Sequence, residues 1–256
     1  MDDQEMGALI RKTVRNMQSG GEKIQTVKPF NNARGVYDTI KDQAIRAGKK
    51  APTPGFLRLE QSINITTNTV AFQVKENQGS PTSTERRLKL ADRFIALQWG
   101  LFLGRVPLAA GTTPTASEFA KQVKYTYPET KLFTAAGEAA NLMNVYNGYT
   151  SLRIGGDIII DSFPNYKFYR VPDSQKGMQY ATTAAGVTIQ DGGWPNPDWG
   201  YLNLVPSINL SGSQTIELNS ILPQSISMAA AAGSYNNLIF ELYGFLLQDG
   251  ASYNTK

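Results

Sequence analysis

The stretch Asp92–Gly104, DRFIALQWGLFLG, decides how the rest of the chain is read. Ile95, Leu97, Trp99, Leu101 and Leu103 recur at every second position and make one unbroken apolar face. Phe94, Ala96, Gln98, Gly100 and Phe102 make the other. A period of two is the pattern of an extended strand, whose side chains alternate between faces. The run is too short for a membrane-spanning helix, which needs roughly 20 apolar residues. A strand apolar on one face and partly so on the other belongs in the middle of a sandwich or barrel.

The same rhythm extends outward on both sides. In FLRLEQSINI, beginning at Phe56, Leu57, Leu59, Ile63 and Ile65 share one side, interrupted only by Gln61, and Arg58, Glu60, Ser62 and Asn64 share the other. Val70, Phe72 and Val74 repeat it in TVAFQV. Over 150–163 Leu152, Ile154, Ile158 and Ile160 alternate with Arg153, Asp157 and Asp161, which reads as another strand. YKFYRV, YLNLVPSINL, TIELN and NLIFELYGFLLQ follow. In the last, Leu238, Phe240, Leu242 and Leu246 line one face, and Gly244 marks a bulge or a close backbone approach. One helical pattern, residues 130–148, is inserted among the strands. No strand–helix–strand alternation argues for a parallel sheet, and no repeat of fixed period is present. Strands separated by loops of uneven length, some of them long, predict a mainly β chain: an antiparallel jelly-roll sandwich with an N-terminal helical arm and one inserted helix. The alternative is two small tandem jelly rolls.

Before Gly55 the period is helical. Met6, Leu9, Ile10, Val14 and Met17 fall on one face of a helix over 4–18, with Arg11, Lys12 and Arg15 opposite, and Gly20-Gly21 ends it. Val36, Ile40, Ala44 and Ala47 predict a second helix over 36–47, capped by Gly48. APTPG, residues 51–55, breaks helix, because each proline forces the residue before it into extended geometry. The expected organisation is a basic helical arm over 1–52 and a β domain over 53–256.

Composition narrows the chemistry. Of 256 residues 41% are hydrophobic and 18% charged, which describes a chain that folds. It contains no Cys and no His. Disulfides, thiolate nucleophiles, serine triads that use histidine and Cys/His zinc sites are therefore excluded. Residues 1–50 hold ten Lys and Arg against six Asp and Glu, so the whole formal net charge of +4 sits in the arm. No secretory signal is legible at MDDQEMGALIRKTVRN, and no apolar run is long enough to cross a bilayer as a helix.

Two groups of residues are candidates for contact. The face made by Met6, Leu9, Ile10, Val14 and Met17, with Arg11, Lys12 and Arg15 behind it, suits a membrane surface, nucleic acid or a neighbouring subunit. Nucleic acid has the weaker support, since the basic residues are few and no aromatic residues are interleaved. QDGGWPNPDWGY, residues 190–201, gathers Asp191, Trp194, Asp198 and Trp199: tryptophans that stack on sugars beside paired carboxylates, or a rigid loop packed against the body or a neighbour. SLRIGGDIIID has a Gly pair but lies within a strand pattern, which argues against phosphate cradling. Glu85, Arg86, Arg87, Lys89, Asp92 and Arg93 read as a solvated or intersubunit polar edge. No catalytic residue, metal ligand or cofactor is assigned.

The pattern FLRLEQSI…TERRLKLADRFIALQWGLFL…NLIFELYGFLLQDG resembles the major capsid proteins of tailless, lipid-containing icosahedral phages, in style over roughly residues 55–250. The resemblance implies a structural virion protein, assembled in the host cytoplasm into a shell of trimers with other capsid proteins. It also implies an N-terminal arm turned toward an internal membrane, the genome or a neighbour. Many such proteins carry two barrels, whereas the strands here suffice for little more than one. The rival class is a carbohydrate-binding or glycan-degrading β-sandwich, such as a phage fibre component, working through Trp194 and Trp199.

Overall fold

A computed structural model describes residues 29–46, 48–63, 67–108, 113–129, 133, 137–171, 181–183, 186–188, 200–226 and 234–250. The chain divides into two units, 1–39 and 40–256, with the boundary inside its first described helix, α1 (Pro29–Arg46). The expected helix over 4–18 lies outside the described residues. The helix expected over 36–47 begins earlier, at Pro29, a residue suited to a first helical turn because its missing N–H is not needed there. It ends as expected. Gly48 adopts φ +66°, its N–H donates to Ile45 O at 3.0 Å and that of Lys49 donates to Ala44 O at 2.9 Å, the paired bonds of a Schellman cap.

The body is a sandwich of two antiparallel sheets. β1 (Thr53–Ser62), β3 (Arg93–Pro107), β4 (Val123–Tyr125), β9 (Tyr201–Ser211) and β11 (Ser234–Leu247) form the first, in the order β1-β11-β3, with β4 and β9 both on the far edge of β3. β2 (Thr67–Phe72), β10 (Ile216–Ile226), β5 (Tyr149–Ile154) and β6 (Asp157–Pro164) form the second, in the order β2-β10-β5-β6. β7 (Ala181–Thr183) and β8 (Gly186–Thr188) make a separate hairpin. The first strand of the body pairs with the last, so the described strands build one sandwich and not two in tandem. Among the described residues two helices interrupt them, α2 (Ala116–Phe119) and α3 (Glu138–Asn147).

The core lies between the sheets. Trp99 anchors it, edge-on to Phe163 at 4.7 Å, Phe168 at 5.3 Å and Phe240 at 5.6 Å, so one indole joins β3, β6 and β11. Leu142, Val145 and Tyr146, at helical spacing on α3, close one side. The flank between β1 and β2 is closed by a single strap. Arg86 exchanges both backbone hydrogen bonds with Arg58 of β1 (2.8 and 2.9 Å). Two residues on, Leu88 donates to Val74 O at 2.8 Å and accepts from Glu76 N at 3.0 Å beyond β2. Leu88, only 1% exposed, plugs the gap.

Three strand readings change. The apolar face expected along β3 is broken at Leu97, where the pairing with β11 passes from Ala96↔Gly244 to Gln98↔Tyr243 and leaves Leu97 unmatched. This bulge reverses the phase. Phe94 and Ala96 point into the core before it, Trp99, Leu101 and Leu103 after it, while Leu97 is half-buried and Ile95 lies outside the core cluster. Gly244 sits at the bulge as expected, so close to Ile95 that a Cβ there would lie 1.8 Å from the Ile95 carbonyl oxygen. The single strand expected over 150–163 is a hairpin, because Gly155 and Gly156 at φ +62° and +97° supply the two positive dihedrals of a tight two-residue turn. Residues Asn165–Phe168, overlapping the first half of the YKFYRV stretch (166–171) read as strand, form a 3-10 turn fixed by Asn165. Its amide donates to Val145 O (2.8 Å) and Ser220 Oγ (2.9 Å), and its oxygen accepts from Thr150 Oγ1 (2.6 Å).

Candidate functional site

Both groups singled out from the sequence, the arm residues Met6, Leu9, Ile10, Arg11, Lys12, Val14, Arg15 and Met17 and the loop residues Asp191, Trp194, Asp198 and Trp199, lie outside the described residues. Two other places concentrate charge and exposed apolar surface.

The first is the outer face of the first sheet. Strand register brings Arg58 opposite Glu241, Glu241 opposite Gly100, and Gly100 opposite Tyr201, so one row crosses β1, β11, β3 and β9. Gly100 has no side chain to interrupt the row, and the Tyr201 hydroxyl donates to Glu241 Oε2 across it. Lys124 Nζ reaches both oxygens of Glu241 at 2.9 and 3.0 Å, and Arg58 Nη1 lies 3.7 Å away. Glu241 is 2% exposed. Burying a carboxylate costs several kcal/mol unless partners compensate it, and here two cations and a phenol do. Burial is the main reason the Tyr201 hydroxyl titrates far above its ordinary range, with the adjacent Glu241 charge adding to it.

The row continues into a neighbouring network. Arg58 Nε donates to Glu60 Oε1 at 2.7 Å, and Glu60 also accepts from Thr84 at 2.7 Å. Glu85 holds Arg87 at 2.7 Å. Over these polar groups runs an aromatic file: Phe102, Tyr201, Tyr243 and Phe56 in successive contact at 5.1, 4.9 and 5.8 Å. A cation closes each end, Lys124 over Phe102 at 5.1 Å and Arg86 over Phe56 at 5.5 Å. The rings pack edge-on or stacked against one another, and Glu241 is held by hydrogen bonds, so the arrangement works as a clamp that fastens β4 and the strap to the sheet.

Sequence periodicity placed Arg58 and Glu60 on a polar face without showing that the 113–127 segment covers it. Glu241, a lone carboxylate within NLIFELYGFLL, was the available signal. The polar edge expected at Glu85–Arg93 is partly internal. Arg87, Asp92 and Arg93 are buried, because Arg87 also donates to Gln78 O (2.6 Å) and Asp92 Oδ1 accepts from Asp249 N (3.0 Å).

The second place is a cleft of about 860 Å³ beside the strap, where Phe56 and Leu246 supply accessible apolar surface and the buried Leu57 and Phe94 lie behind them. Arg86, Lys89 and Glu76 stand exposed at its rim. Among the described residues no group of three or more acidic side chains is placed to hold a metal ion, and no helix is long and apolar enough to cross a membrane. Comparison with protein-family models, curated proteins and solved structures finds no match to this chain.

Proposed function

We propose that this chain is a structural virion protein, a jelly-roll capsid subunit that assembles with copies of itself, as trimers, into a shell. The observation that carries the reading is the nesting of strand pairs. With β4 and the β7–β8 hairpin set aside as insertions, eight strands remain, and they pair first with last: β1 with β11, β2 with β10, β3 with β9, β5 with β6. This nesting supports reading the body as a long antiparallel hairpin rolled on itself, the winding of a jelly roll, an architecture shared by capsid and lectin domains. The step from winding to shell is an analogy of fold. It gains support from the composition, which lacks Cys and His throughout, and from the chemistry of the outer face, where buried charges are spent on fastening segments together.

In this reading the basic arm over 1–52 faces lipid, genome or a neighbouring subunit, and other capsid proteins complete the particle. Light scattering and electron microscopy of the purified chain test it: trimers or shells are expected, and a strict monomer at every concentration overturns it. A glycan-array signal that disappears in Trp194→Ala/Trp199→Ala, with assembly unchanged, would assign the chain a carbohydrate-binding role instead.

A further inference from the structure

The two flanks of the sandwich carry features that the body does not use internally. At one flank β5 and β6 meet at Gly155–Gly156, and residues 155–159 are all exposed. Ile158 and Ile159 stand there 55% and 48% exposed, two adjacent branched aliphatic side chains in water. Asp157 and Asp161 flank them, and Arg153, opposite Ile158 in the hairpin, is exposed beside them. Register shifts within β6 and its two carboxylates disfavour strand-to-strand pairing along this edge, so a partner would meet the tip through its side chains.

The cleft by the strap lies at the opposite flank, since β6 and β2 are the two edges of the second sheet and the strap joins β1 to the segment after β2. Phe56 and Leu246 are the large apolar side chains it exposes. Glu85 and Arg87 neutralise each other and Asp92 is occupied by the Asp249 amide, which leaves Arg86, Lys89 and Glu76 as the charges its rim presents. The tip therefore offers two acids, one base and two isoleucines; the cleft offers two bases, one acid and two large apolar side chains.

We propose that the β5–β6 tip of one copy seats in the cleft of the next, with Ile158 and Ile159 against Phe56 and Leu246. Asp157 and Asp161 then face Arg86 and Lys89, and Arg153 faces Glu76. The contact rests on the self-assembly reading and names its surface. Each copy presents one tip and one cleft on opposite sides, so association is head-to-tail and yields a ring if the rotation closes or an open chain if it does not.

Two variants of the full chain test it, a tip variant Ile158→Asp/Ile159→Asp and a cleft variant Arg86→Glu/Lys89→Glu. Each alone is expected to lose assembly in light scattering. Mixed in equal amounts they should form a heterodimer and stop there, because the intact tip of one fits the intact cleft of the other. A variant with all four charges exchanged, Asp157→Lys/Asp161→Lys with Arg86→Glu/Lys89→Glu, should regain the parent's assembly. Variants that assemble like the parent overturn the contact and leave the self-assembly reading standing. Loss of assembly without a heterodimer on mixing, at unchanged melting temperature, also overturns the contact. A parent that is monomeric at every concentration overturns both.

Discussion

Replacing Gly244 with alanine isolates the feature that sets the phase of the central strand. The new methyl carbon would lie 1.8 Å from the carbonyl oxygen and 2.8 Å from the carbonyl carbon of Ile95, against the 3.0 Å below which real Cβ atoms essentially never approach. Both obstacles are backbone, so no side chain can swing aside. β11 and β3 must part at the Leu97 bulge, straining the packing of Phe94 and Ala96 and at least one ladder hydrogen bond. Overpacking costs about 1–3 kcal/mol and a lost hydrogen bond about 1 kcal/mol, so the expected destabilisation is about 2–4 kcal/mol. For a body of this size that lowers Tm by roughly 5–15 °C. Differential scanning calorimetry reads it, with Gly35→Ala as the control. Gly35 has nothing within 4 Å and sits inside α1, so alanine there should be neutral or stabilising by up to about 1 kcal/mol. A Gly244→Ala chain melting within a degree or two of the parent would refute the assignment of the bulge.

Other expectations concern buried polar groups. The Tyr146 hydroxyl is fully buried without a hydrogen-bond partner among the described residues, so Tyr146→Phe should raise stability by about 1 kcal/mol, seen as a higher urea midpoint. Burial holds the hydroxyls of Tyr125, Tyr127, Tyr146 and Tyr201 above their ordinary value of 10.0. The unfolded chain therefore ionises first. Stability should be fully present below about pH 10 and fall as pH rises past it, and a midpoint that holds steady there would contradict the burial of these rings. Glu241→Leu strands the Lys124 cation and the Tyr201 hydroxyl, while Arg58 keeps Glu60, and should cost about 3 kcal/mol, the lower end of the buried-pair range because Lys124 is partly exposed. Changing Lys124 alone to Met in the same chain should recover part of that loss, whereas Arg58→Met should add to it by leaving the buried Glu60 carboxylate without its cation. Asn165→Leu leaves Thr150, Ser220 and Val145 O without their shared partner and should lower the urea midpoint by the equivalent of about 2–4 kcal/mol.

Most inward-facing positions were legible because burial on one side of a sheet imposes a period of two. Leu57, Leu59, Ile63, Val70, Phe72, Val74, Leu238, Phe240 and Leu242 are all in the core. The period fails where a strand gains a residue. Leu97 looks like its neighbours, and only the glycine across the ladder at 244 betrays the skip. Gly155-Gly156 had the composition of a hairpin turn, yet the apolar alternation ran through it without interruption. Charged residues misled for a different reason. Arg58, Glu60 and Arg87 carry the composition of a solvated surface, and nothing local indicates that later segments will fold across them.

The pairing of β1 with β11 also constrains how the chain comes into being on the ribosome. β11 lies between β1 and β3 in the first sheet, yet it is made last, some 130 residues after β3. Until residues 234–247 have emerged, β1 has only its bridge to the strap at Arg86 and the middle of the sheet is missing, so the nascent body cannot reach its finished fold. Sequence-distant pairings of this kind fold slowly, on the order of milliseconds to seconds. Completion of the sheet is thereby tied to the last strand to be made.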